Sequence, residues 1–207
     1  MLRWGILSTA NIARAAVIPA IQASTNGEVV AVASRDRDRA DAFARPLAIP
    51  RAYGSYAALL DDPQIDAIYI ALPNSLHHAW TLNAVAAGKH VLCEKPFAIS
   101  LEEVDQMIAA SRQTGRCLAE AFMYLHHPQM AVVKEWVDGG RLGEITLVRG
   151  VFNFKMDNLE NVRLEPAYGG GCLWDVGVYP LSFAQYVFGG LPESVFGWQW
   201  VGPSSVD

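Results

Sequence analysis

Three side chains in this sequence have the types and spacing for taking a proton from a hydroxyl group: Lys95, Asp175 and Tyr179. A tyrosine phenol ordinarily titrates near 10, so only about 0.1% is ionised at neutral pH. A lysine cation close by lowers that value by about 1 to 3, which gives a phenolate population able to act as a base in alcohol oxidation. Asp175 and Tyr179 stand four residues apart on a predicted helix and so share one face. An aspartate there would keep Lys95 charged or orient a substrate. Lys95 belongs to Glu94-Lys95-Pro96, directly after a short apolar run, where a lysine can hydrogen-bond a substrate hydroxyl. Each residue also has a plainer reading: Lys95 as surface charge, Asp175 as a helix-face residue, Tyr179 as a packed aromatic.

Oxidising an alcohol needs an electron acceptor, and a second set of residues points to a dinucleotide. The apolar run Trp4-Gly5-Ile6-Leu7 passes directly into a helical pattern. That is where dinucleotide folds carry G-x-G-x-x-G and receive the phosphates on a helix N-terminus. Ser8, Ala10 and Ala13 occupy the glycine positions, so the strict pattern is absent. Small side chains still allow close backbone approach, and Ser8 adds a hydroxyl. Ser8, Thr9, Ala10, Asn11 and Ile12 are the candidate phosphate turn, with a ligand-free strand-to-helix turn as the competing reading.

The next strand pattern ends in Ser34-Arg35-Asp36-Arg37-Asp38-Arg39. A carboxylate at this place suits the ribose hydroxyls of NAD, whereas a 2′-phosphate calls for arginine. Two like charges about 4 Å apart repel by about 4 kcal/mol at an effective dielectric near 20. Ser34, Arg35 and Arg39 therefore favour NADP, while the interleaved Asp36 and Asp38 leave a solvated charge run as the alternative. Leu72, Pro73, Asn74 and His77 follow a later strand, where the ribose and nicotinamide are expected, joined by Glu94 and Lys95 after the one beyond. His78 reads as a surface residue.

These side chains must be held by regular elements. Short apolar runs at 4–7, 29–33, 67–72, 91–93 and 117–121 read as buried strands, and 11–24, 37–45, 75–87 and 101–114 as helices. Ser100 followed by Glu103 is a capping-box signature, and Gly88 and Gly115 suit helix ends. Alternation of this kind predicts a doubly wound parallel α/β sheet of the Rossmann type. After residue 122 the pattern changes to a helix near 129–138, a strand at 144–156, a loop to Gly169-Gly170-Gly171, a helix over 172–188 and a strand at 193–201. The reading is a dinucleotide-binding domain at 1–122 and, at 123–207, the first part of an α+β substrate and dimerisation domain with an open, mainly antiparallel sheet. Two strands do not make a stable sheet alone, so this second domain reads as unfinished. The triple glycine is expected to let backbone approach a ligand, with Phe154, Arg163 and Trp174 as pocket walls.

Composition excludes several classes. Hydrophobic residues make up 52% and charged residues 18%, as in an ordinary globular protein. A net charge of −5 argues against nucleic acid as the main partner. No apolar stretch reaches the roughly 18 residues of a membrane span. Arg3 followed by Trp4 to Leu7 breaks off at Ser8-Thr9-Ala10-Asn11 without a cleavage site, so it reads as a buried strand and not a signal peptide. Cys93, Cys117 and Cys172 have neither metal spacing nor an even count, so no metal is expected and a reducing cytoplasm is.

Taken together, the motifs resemble the Gfo/Idh/MocA oxidoreductase family, over all 207 residues. The resemblance is carried by Trp4 to Ala10, Ser34-Arg35-Asp36, Ala52-Tyr53-Gly54-Ser55-Tyr56, Pro73-Asn74-Ser75-Leu76-His77, Ala87 to Pro96 and Gly169 to Tyr179. It implies NADP-linked oxidation of an aldose at C1 or of a trans-diol. Lys95, Asp175 and Tyr179 would form the reaction site, His77 would lie at the coenzyme, and an open C-terminal sheet would pair two subunits. Leu125 stands where relatives often have arginine, and relatives continue well beyond Asp207. The alternatives are an NADPH-dependent keto-sugar reductase, a non-catalytic NADP-binding sensor of the same fold, and a Rossmann methyltransferase, which leaves Glu94-Lys95-Pro96 unexplained.

Overall fold

Six short strands pair into one parallel sheet: β1 (Leu2–Leu7), β2 (Gly27–Ala33), β3 (Arg51–Tyr53), β4 (Ala67–Ile70), β5 (His90–Cys93) and β6 (Leu118–Glu120). Their order is β3-β2-β1-β4-β5-β6. The chain winds outward on one side of β1 and then returns to wind outward on the other, so the strand order reverses between β1 and β4. The strands are nearly continuous apolar runs because both faces are covered. Leu7, Ile68, Ile70 and Val91 join one core cluster, and Ile6, Val32 and Tyr69 join the other. Side chains alternate across a strand with a period of two, which divides neighbours between the two faces.

The computed structural model describes residues 1–207, which form two compact units, Met1–Ala121 and Phe122–Asp207. In the first unit the helices are α1 (Ile18–Ala23), which continues a π-helical turn at Ala13–Val17, then α2 (Arg37–Ala44), α3 (Tyr56–Leu60), α4 (His77–Ala86) and α5 (Leu101–Thr114). Several are started by side-chain caps. Asp36 accepts from the Arg39 N–H at 2.9 Å, Ser55 from Ala58, and Ser100 from Glu103 at 3.2 Å. Glu103 reaches back to the Ile99 N–H at 3.1 Å, one residue beyond the cap, which completes the reciprocal arrangement expected from its spacing. β3 and α3 are elements the apolar pattern did not reveal. β3 has three residues and lies on the sheet edge, too short to show a period.

The second unit carries α6 (Pro128–Asp138) and α7 (Val178–Phe188), with a π-helical turn at Leu173–Gly177 leading into α7. The Tyr186 hydroxyl donates to the Met130 carbonyl at 3.1 Å, tying the two helices together. The strands expected at 144–156 and 193–201 are corrected by the structure: neither stretch enters a ladder, and the antiparallel sheet they were to form is not present. Alternating polarity makes a strand only where a neighbour supplies its backbone hydrogen bonds. Here Val151, Phe196 and Trp198 lie open, at 83%, 92% and 91% exposure.

Candidate functional site

The carboxyl ends of all six strands fall on one register line. Tyr53, Ala33, Leu7, Ile70, Cys93 and Glu120 are paired in turn across the sheet. The next residue of five strands continues the ladder: Ser8 N–H donates to Ala33, Ser34 to Tyr53, Ala71 to Leu7, Glu94 to Ile70 and Ala121 to Cys93. Ser8, Ser34 and Glu94 therefore emerge along a single edge, the one where open α/β sheets bind their ligands.

At the β1 end the backbone makes a glycine-type turn without glycine. Ser8 has φ of 116°, a conformation that is strained for any side-chain-bearing residue. Its hydroxyl accepts from the Ala10 N–H at 2.9 Å, which closes the turn. Arg39, in the first turn of α2, donates from Nε to the Thr9 hydroxyl at 2.9 Å. The turn after β1 is thereby linked to the arginines after β2. Arg35 and Arg39 are exposed, while Ser34 is buried. Both cations lie near enough to Tyr56 to pull its phenol down, although burial, the larger effect, pushes it up. The Asp36 carboxylate is used as the cap of α2. A small-residue turn, a strained first position and two cations at the β2 end fit a dinucleotide carrying a 2′-phosphate.

At the β5 end the segment Glu94 to Phe97 is fastened from four sides. Tyr69, wholly buried in β4, donates to Glu94 Oε1 at 2.5 Å. Glu94 N–H donates to Ile70, His77 Nδ1 lies 2.7 Å from the Pro96 carbonyl, and Phe97 N–H donates to Glu120 Oε1 at 2.8 Å. Lys95 is thus the side chain carried by a rigid strap. Burial raises the Glu120 carboxyl above the ordinary carboxylate range, opposed by the Phe97 N–H and by Lys95.

The sequence reading places His77 at the coenzyme. The residue is 0% exposed, and its second ring nitrogen, Nε2, lies 2.9 Å from the Leu72 carbonyl. With both nitrogens facing backbone carbonyls, His77 fastens the β4 turn to the Glu94–Phe97 strap. Tyr69 and Glu120 were missed. The signal for Tyr69 was a polar tip within an otherwise apolar buried strand, since buried phenols need a partner. The signal for Glu120 was a carboxylate at a strand's carboxyl end.

In the second unit, Asp175 lies in the π-helical turn and Tyr179 in α7. The regular α spacing that would place them on one face is interrupted between them. Asp175 Oδ2 accepts from Arg163 Nε at 2.7 Å. Tyr179 stands among the rings of Phe122, Tyr124 and Phe152, at centroid distances of 5.6, 6.0 and 5.3 Å. Trp174 is half-buried, and Phe154 is exposed. The triple glycine does not face open space. A Cβ on Gly170 would stand 2.5 Å from the Arg163 carbonyl oxygen, and Gly171 has φ of 119°. Gly170 lets the 163–165 turn come close.

No cluster of three or more His, Cys, Asp or Glu side chains is arranged to hold a metal, and no helix is long and apolar enough to cross a membrane. A concavity of about 600 Å³ lies along α2 and β3, lined by residues such as Arg37, Asp41, Arg45 and Tyr53. It sits beside the β3 edge, away from the crossover between β1 and β4.

The fold and its strand-end turns are those of a dinucleotide-binding oxidoreductase. The family model described as oxidoreductase family, NAD-binding Rossmann fold, matches residues 2–122, and that of the Gfo/Idh/MocA C-terminal domain matches 130–203. The chain belongs to the Gfo/Idh/MocA family. It is 44% identical over 196 residues to D-xylose 1-dehydrogenase (NADP(+)) 2 of Haloferax volcanii, covering 94% of this chain and 59% of that protein. It is 38% identical over 197 residues to trans-1,2-dihydrobenzene-1,2-diol dehydrogenase of Mus musculus, covering 94% and 59%. Among solved structures, a 3-ketoreductase from Actinomadura kijaniata in complex with NADP and TDP-benzene matches with a TM-score of 0.85 at 37% identity, over 90% of this chain and 57% of that one. The chain thus spans under two thirds of the length of these relatives.

Proposed function

We propose that the protein is an NADP-dependent dehydrogenase that oxidises a sugar at its anomeric hydroxyl, or a trans-diol. The observation that carries the coenzyme part is the Arg39–Thr9 contact at 2.9 Å, which joins the phosphate turn to the pair of arginines after β2. The relatives named for D-xylose and for a dihydrodiol support the substrate class. Residues 1–122 are assigned to the NADP-binding domain, and 123–207 to the first part of a substrate and dimerisation domain. The complete protein is proposed to act as a cytoplasmic homodimer on a small molecule, with no nucleic-acid or membrane partner.

The coenzyme, when bound, supplies the electron-pair acceptor. Ser8, Thr9, Ala10, Asn11 and Ile12 would hold its phosphates, with Ser34, Arg35 and Arg39 at the 2′-phosphate. Leu72, Pro73, Asn74, Glu94 and Lys95 would line the ribose and nicotinamide side. Tyr179 takes the substrate hydroxyl proton, Lys95 lowers the phenol's affinity for its own proton, and Asp175 orients the substrate or the lysine. Phe154 and Trp174 are pocket-wall candidates.

Keto-sugar reduction is the second reading, favoured by the likeness to the 3-ketoreductase. Both directions are tested in one experiment. Protein expressed from its complete gene is mixed with D-xylose, D-glucose or a trans-dihydrodiol and NADP or NAD, following NADPH absorbance, and with keto sugars and NADPH in reverse. NADPH formation that is lost in Lys95→Ala and Tyr179→Phe supports the dehydrogenase. Tight NADP binding without turnover in either direction replaces it with the sensor reading, and a preference for NAD removes the role given to Arg35 and Arg39.

A further inference from the structure

The hydrogen bonds around Asp175 close into a circuit. Gly171 N–H donates to the Arg163 carbonyl at 2.9 Å, Asp175 N–H donates to the Gly171 carbonyl at 3.1 Å, and Arg163 Nε–H returns to Asp175 Oδ2 at 2.7 Å. Two of the three links, the first and the last, depend on how the 161–165 turn sits on the triple glycine. Gly170 leaves no room for a side chain, since a Cβ would meet the Arg163 and Glu165 carbonyl oxygens at 2.5 and 2.9 Å. Asn161 Oδ1 accepts from the Arg163 backbone N–H at 3.0 Å and from its guanidinium at 3.4 Å, which fixes the base and the head of the side chain. The Asp175 side chain is 13% exposed and that of Arg163 46%. A carboxylate this enclosed feels its partner with less screening than one on the open surface. A planar guanidinium held at two of its nitrogens also fixes direction, which a flexible ammonium does not.

We propose that Arg163 is a positioning residue that acts through Asp175, setting the direction of that carboxylate for the reaction, and is not itself a wall of the substrate pocket. The inference rests on the role given to Asp175 under the proposed function. It assigns the 161–165 turn and the glycine segment to one device that aims a carboxylate in a π-helical turn, a backbone form that recurs at functional sites.

The test is a double-mutant comparison in protein expressed from its complete gene: Arg163→Gln, Asp175→Asn, the two together, and Arg163→Lys, each checked for folding by circular dichroism. Misaiming a reacting group costs about tenfold or more in turnover. The expected result is a kcat loss of that size in Arg163→Gln with the KM for NADP unchanged, partial recovery in Arg163→Lys, and no further loss when Arg163→Gln is added to Asp175→Asn. Losses that multiply in the double variant would overturn the proposal, because Arg163 would then act independently of Asp175. Wild-type kcat in Arg163→Gln beside an impaired Asp175→Asn overturns this inference alone. Wild-type kcat in Asp175→Asn overturns the role of Asp175 in the proposed function, and this inference with it. Should Arg163→Gln fail to fold, Arg163→Lys with and without Asp175→Asn carries the same comparison.

Discussion

The Tyr69 hydroxyl donates to Glu94 Oε1 at 2.5 Å, joining the interior of β4 to the residue that opens the Glu94-Lys95-Pro96 strap. A hydrogen bond to a charged acceptor contributes about 1.5–3 kcal/mol, more than a neutral pair. Tyr69 is 0% exposed, so removing its hydroxyl keeps the packing and deletes the bond. Tyr69→Phe is expected to lower unfolding stability by about 1–3 kcal/mol, read as a lower urea midpoint with unchanged slope. An unchanged midpoint would show that the phenol is not what anchors Glu94.

His77 gives stability a pH dependence whose sign can be worked out. Burial holds its imidazole below the ordinary value, outweighing the two carbonyls that favour protonation. Above about pH 6.5 the ring is neutral both folded and unfolded. Below that, and down to the folded value, the unfolded chain takes up a proton that the folded one does not, so stability falls as pH falls. The slope from this one group is at most about 1.4 kcal/mol per pH unit. His77→Gln is expected to be less stable at neutral pH and to lose this slope, measured by urea unfolding from pH 7.5 to 5. A slope that survives the substitution assigns the effect to other groups.

Arg39 bears on coenzyme choice. It is held by Thr9 at 2.9 Å yet is exposed, so it can reach a phosphate without leaving a buried gap when removed. Losing a charge-assisted contact of about 1.5–3 kcal/mol weakens binding by about 10- to 100-fold. Arg39→Ala is expected to raise the Kd for NADP by that factor and leave the Kd for NAD within about twofold, since only one carries the 2′-phosphate. Equal weakening of both would move Arg39 from phosphate selection to support of the turn.

The first unit was legible because each local signal agreed with the sheet. Apolar runs gave five strands, and Ser100 with Glu103 gave the start of α5. What the sequence did not show were properties that depend on a distant partner. His77 follows β4 where a ligand contact is expected, but no spacing reveals that Pro96, 19 residues away, takes its Nδ1. The stretch 144–156 alternates well enough to read as a strand, yet a ladder belongs to two segments and sequence shows one. Arg51-Ala52-Tyr53 fails in the other direction, forming an edge strand too short for any period. Lys95, Asp175 and Tyr179 are candidates by their chemistry alone, whereas the pairing of Asp175 with Arg163 rests on a turn geometry that only the fold specifies.

The triple glycine offers a test of that geometry. A Cβ at Gly170 meets backbone: the Arg163 carbonyl oxygen at 2.5 Å, its carbon at 2.9 Å and the Glu165 oxygen at 2.9 Å. Backbone cannot swing aside as a side chain can, so the 163–165 turn must shift as a whole. Overpacking of this kind costs about 1–3 kcal/mol. At Gly190, by contrast, an added Cβ meets nothing within 4 Å. Gly170→Ala is therefore expected to lose about 1–3 kcal/mol and to loosen the Arg163–Asp175 pair, while Gly190→Ala changes stability by no more than about 0.5 kcal/mol. Chemical denaturation compares the two, and amide exchange at Gly171, whose N–H donates to Arg163, reports the turn directly. Equal stability of the two variants would mean that the turn yields without cost, and that Gly170 is not what brings Arg163 to Asp175.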